Sequence, residues 1–168
     1  MNNDTTIIRP EMRLEHCQIR DRQMSPEKKR KLKKALRTLQ TLETMAVNIY
    51  KFQITNRPSE HNRQLIAAMC NEMTHLQDFQ VKLFEYGLKP SKFRFAYWLV
   101  GFFLGYFSRL LGKKAVLKTG IWVEKKAVRD YQKLLEGVDW DPQTRRIIEK
   151  DRADEKEHIR RWQSLLEN

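Results

Sequence analysis

The sequence predicts an all-α protein, a bundle of four long amphipathic helices with a wholly apolar helix between the second and third. Three observations carry this. Apolar residues recur at three- and four-residue spacing through four long stretches. Four of the five prolines, Pro26, Pro58, Pro90 and Pro142, fall between those stretches rather than inside them. The pattern Glu-x-x-His occurs twice, as Glu72-Met73-Thr74-His75 and Glu155-Lys156-Glu157-His158, and each copy lies in an apolar stripe.

Residues 1–24 are polar and lack a clear period. They read as a tail with one helical turn around Arg13 to Cys17. The folded domain is expected over 25–168. Ser25-Pro26-Glu27 supplies an N-cap, a proline at the first helical position and an acid in the first turn. The first helix should run to about Thr55, with the stripe Leu32, Leu36, Leu39, Glu43, Ala46 and Tyr50. Asn56-Arg57-Pro58-Ser59 is a turn. The second helix should follow it to Tyr86 and stop at Gly87, with the stripe Leu65, Ala68, Glu72, His75, Phe79 and Leu83. So short a connection makes the two helices an antiparallel hairpin.

The segment from about 93 to 111 is different. From Phe95 to Ser108 it has no charge, and Arg94 and Arg109 bracket it. It is apolar all round, so it offers no face to water. Fourteen helical residues cover about 21 Å, short of a ~30 Å bilayer core. It is expected to embed partly in a membrane surface or to admit a substrate. A homodimer interface and a simple core helix are the alternatives. Gly101, Gly105 and Gly112 permit close packing or a break. A helix from about Lys114 to Glu136 carries the stripe Leu117, Ile121, Glu124, Val128, Tyr131 and Leu135. Asp141-Pro142 then starts the last helix, which runs to about Leu166 with the stripe Ile148, Glu155, His158, Trp162 and Leu165.

The net charge is +12 and the sequence pI near 9.9. The first bundle helix opens with Lys28, Lys29, Arg30, Lys31, Lys33 and Lys34, while Lys113, Lys114, Lys118, Lys125, Lys126 and Arg129 rim the apolar segment. Aromatics beside a basic rim suit an anionic membrane surface. Zinc-knuckle, recognition-helix and RNP-like patterns are missing, so nucleic acid is not the expected partner. No stretch predicts an ordinary transmembrane helix or a secretory signal. Cys17 and Cys70 form no disulfide framework, which fits a reducing compartment.

An acid in an apolar stripe is costly unless it is paired. Here four stripes carry acids: Glu43; Glu72 with His75; Glu124; and Glu155 with His158. One glutamate from each of two helices and Glu-x-x-His from each of the other two is the ligand set of ferritin-like di-iron bundles. Burial of each acid against an Arg or Lys would explain any one helix but not all four. The donors suit two iron ions, and manganese accepts the same set.

The chain resembles the demethoxyubiquinone hydroxylases of ubiquinone biosynthesis over roughly residues 36–160. The resemblance rests on Glu43 with Ala46, Asn48, Ile49 and Tyr50; on Glu72-Met73-Thr74-His75-Leu76 with Phe79; on Gly101-Phe102 through Gly105 to Leu110-Leu111-Gly112-Lys113; on Val123-Glu124 with Tyr131; and on Arg152 with Glu155-Lys156-Glu157-His158. It implies a membrane-associated di-iron monooxygenase that uses O2 and two electrons, ultimately from NADH, to hydroxylate the ring of a demethoxy-quinone. It also implies that the six Glu and His residues are the metal ligands and that Tyr131 works in substrate or electron handling. Such a protein would sit on the cytoplasmic face of a bacterial inner membrane, or the matrix face of a mitochondrial one. The chain departs from the family pattern at Leu39-Gln40-Thr41-Leu42, at Lys125 and at Asp130. The alternative function is a ferritin-like iron-binding protein acting in storage or peroxide reduction. Storage shells lack an apolar crossover, however, and this chain has no Cys-x-x-Cys for the peroxide-reducing type.

Overall fold

A computed structural model describes residues 17–20 and 24–167, and among these it contains five helices and no strand. They are α1 (Pro26–Gln53), α2 (Glu60–Glu85), α3 (Arg94–Leu110), α4 (Lys113–Gly137) and α5 (Pro142–Glu167). The expected turn around Arg13 to Cys17 lies outside the described residues except at Cys17, which is not helical.

The helix ends follow local chemistry. Ser25 Oγ accepts from the Lys28 amide at 3.2 Å and Ser59 Oγ from the Asn62 amide at 3.1 Å, so each satisfies one of the free N–H groups of a first turn. Asp141 caps α5, accepting from the amides of Gln143 and Thr144 at 3.0 and 3.1 Å. Gly87 ends α2 at φ 62°, and Gly112 turns the chain from α3 into α4 at φ 92°. Both angles lie where a side chain would be strained.

Two apolar layers clamp a polar one. At one end of the bundle Leu32, Leu36, Phe79, Leu83, Leu135, Trp140 and Ile148 pack together. At the other end Tyr50, Leu65, Ala68, Val116, Leu117 and Trp162 do the same. Burying each large apolar side chain contributes about 1.5–3 kcal/mol. These layers therefore offset part of the cost of the charged layer buried between them.

α3 runs along the outside of α1. A Cβ on Gly101 would lie 2.5 Å from the Met45 carbonyl oxygen, and one on Gly105 would lie 2.5 Å from that of Ile49. Those two glycines let the backbones approach closely. Ser108 completes the seam by accepting from Gln53 Nε2 at 2.8 Å. Gly101, Gly105 and Ser108 are the buried residues of α3. Its other side leaves Phe93, Phe95, Phe103, Phe107, Leu110 and Leu111 exposed. No helix among the described residues is long and apolar enough to cross a membrane.

The segment 17–20 lies against the end of the bundle. Arg20 pairs with Glu85 at 3.1 Å and with Asp141 at 3.0 Å, linking the end of α2 to the start of α5. Lys82 also reaches Glu85, at 2.6 Å. Cys17 and Cys70 are exposed, free thiols.

Candidate metal centre

All six Glu and His residues singled out by the stripes meet in the layer between the two apolar clusters. Glu43, Glu72, His75, Glu124, Glu155 and His158 are each at most 3% exposed. Their donor atoms fall into two sets, Glu43–Glu72–His75–Glu155 and Glu72–Glu124–Glu155–His158, and within each set the atoms lie within 4.8 Å of one another. Glu72 and Glu155 belong to both sets. The pattern follows from the helix period: i and i+3 share a face, so each Glu-x-x-His delivers a carboxylate and an imidazole side by side.

Both imidazoles aim Nδ1 into the cluster. His75 Nδ1 lies 3.1 Å from Glu155, 3.6 Å from Glu72 and 3.7 Å from Glu43. His158 Nδ1 lies 3.0 Å from Glu72, 3.3 Å from Glu155 and 3.7 Å from Glu124. Yet both nitrogens, both oxygens of Glu72 and of Glu155, and one oxygen of Glu124 make no hydrogen bond. Buried polar atoms are rarely left so. Convergent donor atoms without partners fit a cation at their centre.

The charges lead to the same fit. Burial, reinforced by neighbouring carboxylates, raises Glu43 and Glu124 well above the ordinary carboxylate range. Burial opposes ionisation of Glu72 too, but there the flanking His158 and His75 prevail and lower it. His158 is pushed up to about 12 by Glu124, Glu155 and Glu72 against the opposing effect of burial. His75 rises likewise beside Asp154 and Glu155. Glu43 and Glu124 thus favour their protonated forms, while Glu72 keeps its charge between two cationic imidazoles. Two divalent cations would balance four carboxylates and leave both imidazoles neutral, the form that ligates.

A second group of residues surrounds the donors. His75 Nε2 contacts Asp154 Oδ2 at 3.1 Å, which fixes the ring with Nδ1 inward. Tyr131 on α4 donates to Glu43 on α1 at 2.7 Å, and Tyr50 on α1 donates to Glu124 on α4. Tyr50 in turn accepts from Trp162 Nε1 at 3.1 Å. The family resemblance singled out Tyr131, whereas the stripes held both tyrosines as core positions and passed over Asp154. The missed signal was spacing: Tyr50 and Tyr131 each follow their helix's glutamate by seven residues, two helical turns. Asp151, also missed, stands one turn before Glu155, fully buried and pushed up to about 7 mainly by burial.

On the α1–α4 side a cavity of about 10 Å³ touches all four glutamates and is walled by Leu42, Met45, Val123 and Ala127. That is about the space of one water. Leu104 of α3 packs on the same apolar wall, so the outer helix reaches to the edge of the centre.

Comparison with protein families gives one match. The family of ubiquinone biosynthesis protein COQ7 matches residues 30–163, a span that holds all six donors, both tyrosines and the whole of α3. The chain belongs to the COQ7 family. Membership gives it a role in ubiquinone biosynthesis and supports an enzymatic one. With the donor geometry, it makes the buried cluster of this COQ7-family chain a metal-binding candidate compatible with two irons. No curated protein matched the chain.

Proposed function

We propose that this COQ7-family protein is a di-iron monooxygenase that hydroxylates the ring of a demethoxy-quinone at a membrane surface. The observation that carries it is the pair of four-donor sets sharing Glu72 and Glu155. Glu43 and His75 would hold one iron, Glu124 and His158 the other, and Glu72 and Glu155 would serve both. Iron held there would supply the two-electron activation of O2 that the reaction requires. In balance, a ring C–H, O2, two electrons and two protons give a ring C–OH and one water, with NADH as the ultimate electron source.

The protein's own residues set the conditions. Tyr131 and Tyr50 hold Glu43 and Glu124 in place, and Asp154 keeps His75 turned inward. Leu42, Met45, Val123 and Ala127 keep bulk water from the centre and offer an apolar wall to a ring. Since their cavity has room for only about one water, ring entry requires the α1–α4 seam to open. Tyr131 stands at the Glu43 edge, where its phenol can hand a proton toward substrate or the carboxylate. The exposed aromatic side of α3 suits partial embedding in the cytoplasmic face of an inner membrane, or the matrix face in a mitochondrion, where a long-tailed quinone resides.

The test is a quinone profile by mass spectrometry of cells lacking the protein. A demethoxy-quinone should accumulate, clear when the wild type is restored, and persist with Glu155→Ala. An unchanged profile would leave an iron-binding bundle and move the function to iron storage or peroxide reduction.

A further inference from the structure

We propose that the cleft between the first half of α1 and the Lys89–Tyr97 segment is a receptor for the phosphate of an anionic phospholipid head group. This rests on the reading of α3 as the membrane-facing helix, and it adds a specific anion site to that surface.

The cleft has a volume of about 480 Å³. Its walls carry five cations: Arg30, Lys33, Lys34 and Arg37 from one face of α1, and Lys92 opposite. No acid lines it. Among the described residues Arg30, Lys33, Lys34 and Lys92 make no ion pair. Neighbouring lysines do: Lys31 pairs with Glu27 and Lys28 with Asp139. Five like charges around one concavity repel one another, and an anion seated among them relieves that repulsion.

The cleft is built before any ligand arrives. Arg37 Nε donates to the Lys89 carbonyl at 2.8 Å, and the Ser91 amide donates to Gln40 Oε1 at 2.9 Å. These bonds pin the α2–α3 connection to α1 and fix the width between the walls. Thr38 and Thr41 line the floor but give their hydroxyl protons to helix carbonyls. Recognition therefore falls to the cations, which suits a phosphate rather than a neutral polar group.

The position of the mouth selects a lipid over a soluble phosphate. Phe93 and Tyr97 form its rim, and Phe93 begins the exposed apolar side of α3. When that side enters the acyl region, the cleft opens at head-group depth, where basic and aromatic residues work together.

Co-sedimentation of the full chain with phosphatidylcholine vesicles, with and without phosphatidylglycerol, tests this. Phosphatidylglycerol should strengthen binding. The exposed triple variant Arg30→Ala/Lys33→Ala/Lys34→Ala should lose that gain by about 100-fold, near five-fold per charge, and bind pure phosphatidylcholine as the wild type does. An equal charge loss on α5, Arg146→Ala/Arg160→Ala/Arg161→Ala, should cost far less. Equal losses from the two triple variants would reduce the effect to net charge and overturn the site. Phe103→Ser/Phe107→Ser should weaken binding to both vesicle types. A wild type that binds both types equally well would refute the cleft and leave the α3 reading standing. A wild type that binds neither would remove that reading, and the lipid assignment with it. Inorganic phosphate should compete no better than chloride of matched ionic strength. Stronger competition would reassign the cleft to a soluble phosphate.

Discussion

Tyr50 and Tyr131 exchange partners across the α1–α4 seam: Tyr131 donates to the glutamate of α1, Glu43, and Tyr50 to the glutamate of α4, Glu124. The surroundings repeat as well. Phe79, four residues after His75, packs edge-on against Tyr131 at 5.9 Å, and Trp162, four residues after His158, packs against Tyr50 at 5.7 Å. The bundle is two similar helix pairs facing each other. Around the tyrosines the copies differ in one bond, since Trp162 Nε1 donates to Tyr50 while Phe79 has nothing to donate.

That difference predicts unequal variants. Tyr50→Phe removes a hydroxyl that both gives and accepts, and leaves Trp162 Nε1 buried without a partner. Tyr131→Phe frees only one oxygen of Glu43. Removing such outer partners typically costs 10–100-fold in metal affinity. Tyr50→Phe should fall near the upper end and Tyr131→Phe near the lower, by competition titration with a metal-binding dye. The Tyr50 variant should also lower the melting temperature further than the Tyr131 variant does.

The shared carboxylates predict stoichiometry. Glu72→Ala or Glu155→Ala takes a donor from both sets, so iron content should fall from two per chain to near none. Glu43→Ala or Glu124→Ala strips one set and should leave about one. Elemental analysis of purified protein reads this directly. Full occupancy in Glu155→Ala would remove the site as drawn.

The protons held by the metal-free centre predict a pH dependence. Glu43 and Glu124 are raised above 4.5, so their contribution to stability is present below that value and lost as pH rises. His158 is raised from 6.5 to about 12, so its contribution is complete below 6.5 and declines across the range above it. Glu72 is lowered, and its contribution disappears only as pH falls below 4.5. Metal-free protein should therefore lose stability steadily from pH 6.5 to 9. Metal loading displaces these protons and should flatten the dependence. Melting curves across pH, with and without metal, check the sign, and proton release on loading in weak buffer checks the cause.

The helices and the six donors were legible because a buried acid breaks an otherwise apolar stripe, and a break in pattern can be seen in one dimension. Tyr50 breaks no pattern. A tyrosine in a core stripe reads as packing until the fold brings Glu124 beside it. Asp154 lies off the stripe, and only the turn of α5 toward α2 gives it His75. The role of Arg20, bridging Glu85 and Asp141 from a stretch without periodicity, depends wholly on long-range placement. For α3 the composition showed an apolar cylinder without an inside. Gly101, Gly105 and Ser108 decide which side meets α1.

That seam is itself testable. Gly101→Val would drive side-chain atoms into the Met45 carbonyl, which is backbone and cannot swing aside. Overpacking of this kind costs about 1–3 kcal/mol. Urea denaturation should show a loss of that size, and limited proteolysis should find α3 cleaved faster than the other helices. Gly112→Ala meets no atom but is strained by its positive φ. It should cost about 1–3 kcal/mol, with α3 still protected.

The small cavity beside the four glutamates predicts a separation of metal binding from turnover. Ala127 lines it without supplying a donor. Ala127→Leu adds bulk where a ring would have to enter, while the six ligands and Tyr131 keep their places. Iron content should stay near two per chain, and product formation from a demethoxy-quinone should fall by at least about 10-fold, the loss expected when steric misfit costs 1.4 kcal/mol or more in the transition state. Met45→Ala widens the same wall and should restore turnover in the double variant. If Ala127→Leu turned over normally with full iron, the ring would have to reach the centre by another face, and the α2–α5 side, where Asp154 is partly exposed, would be the next place to probe.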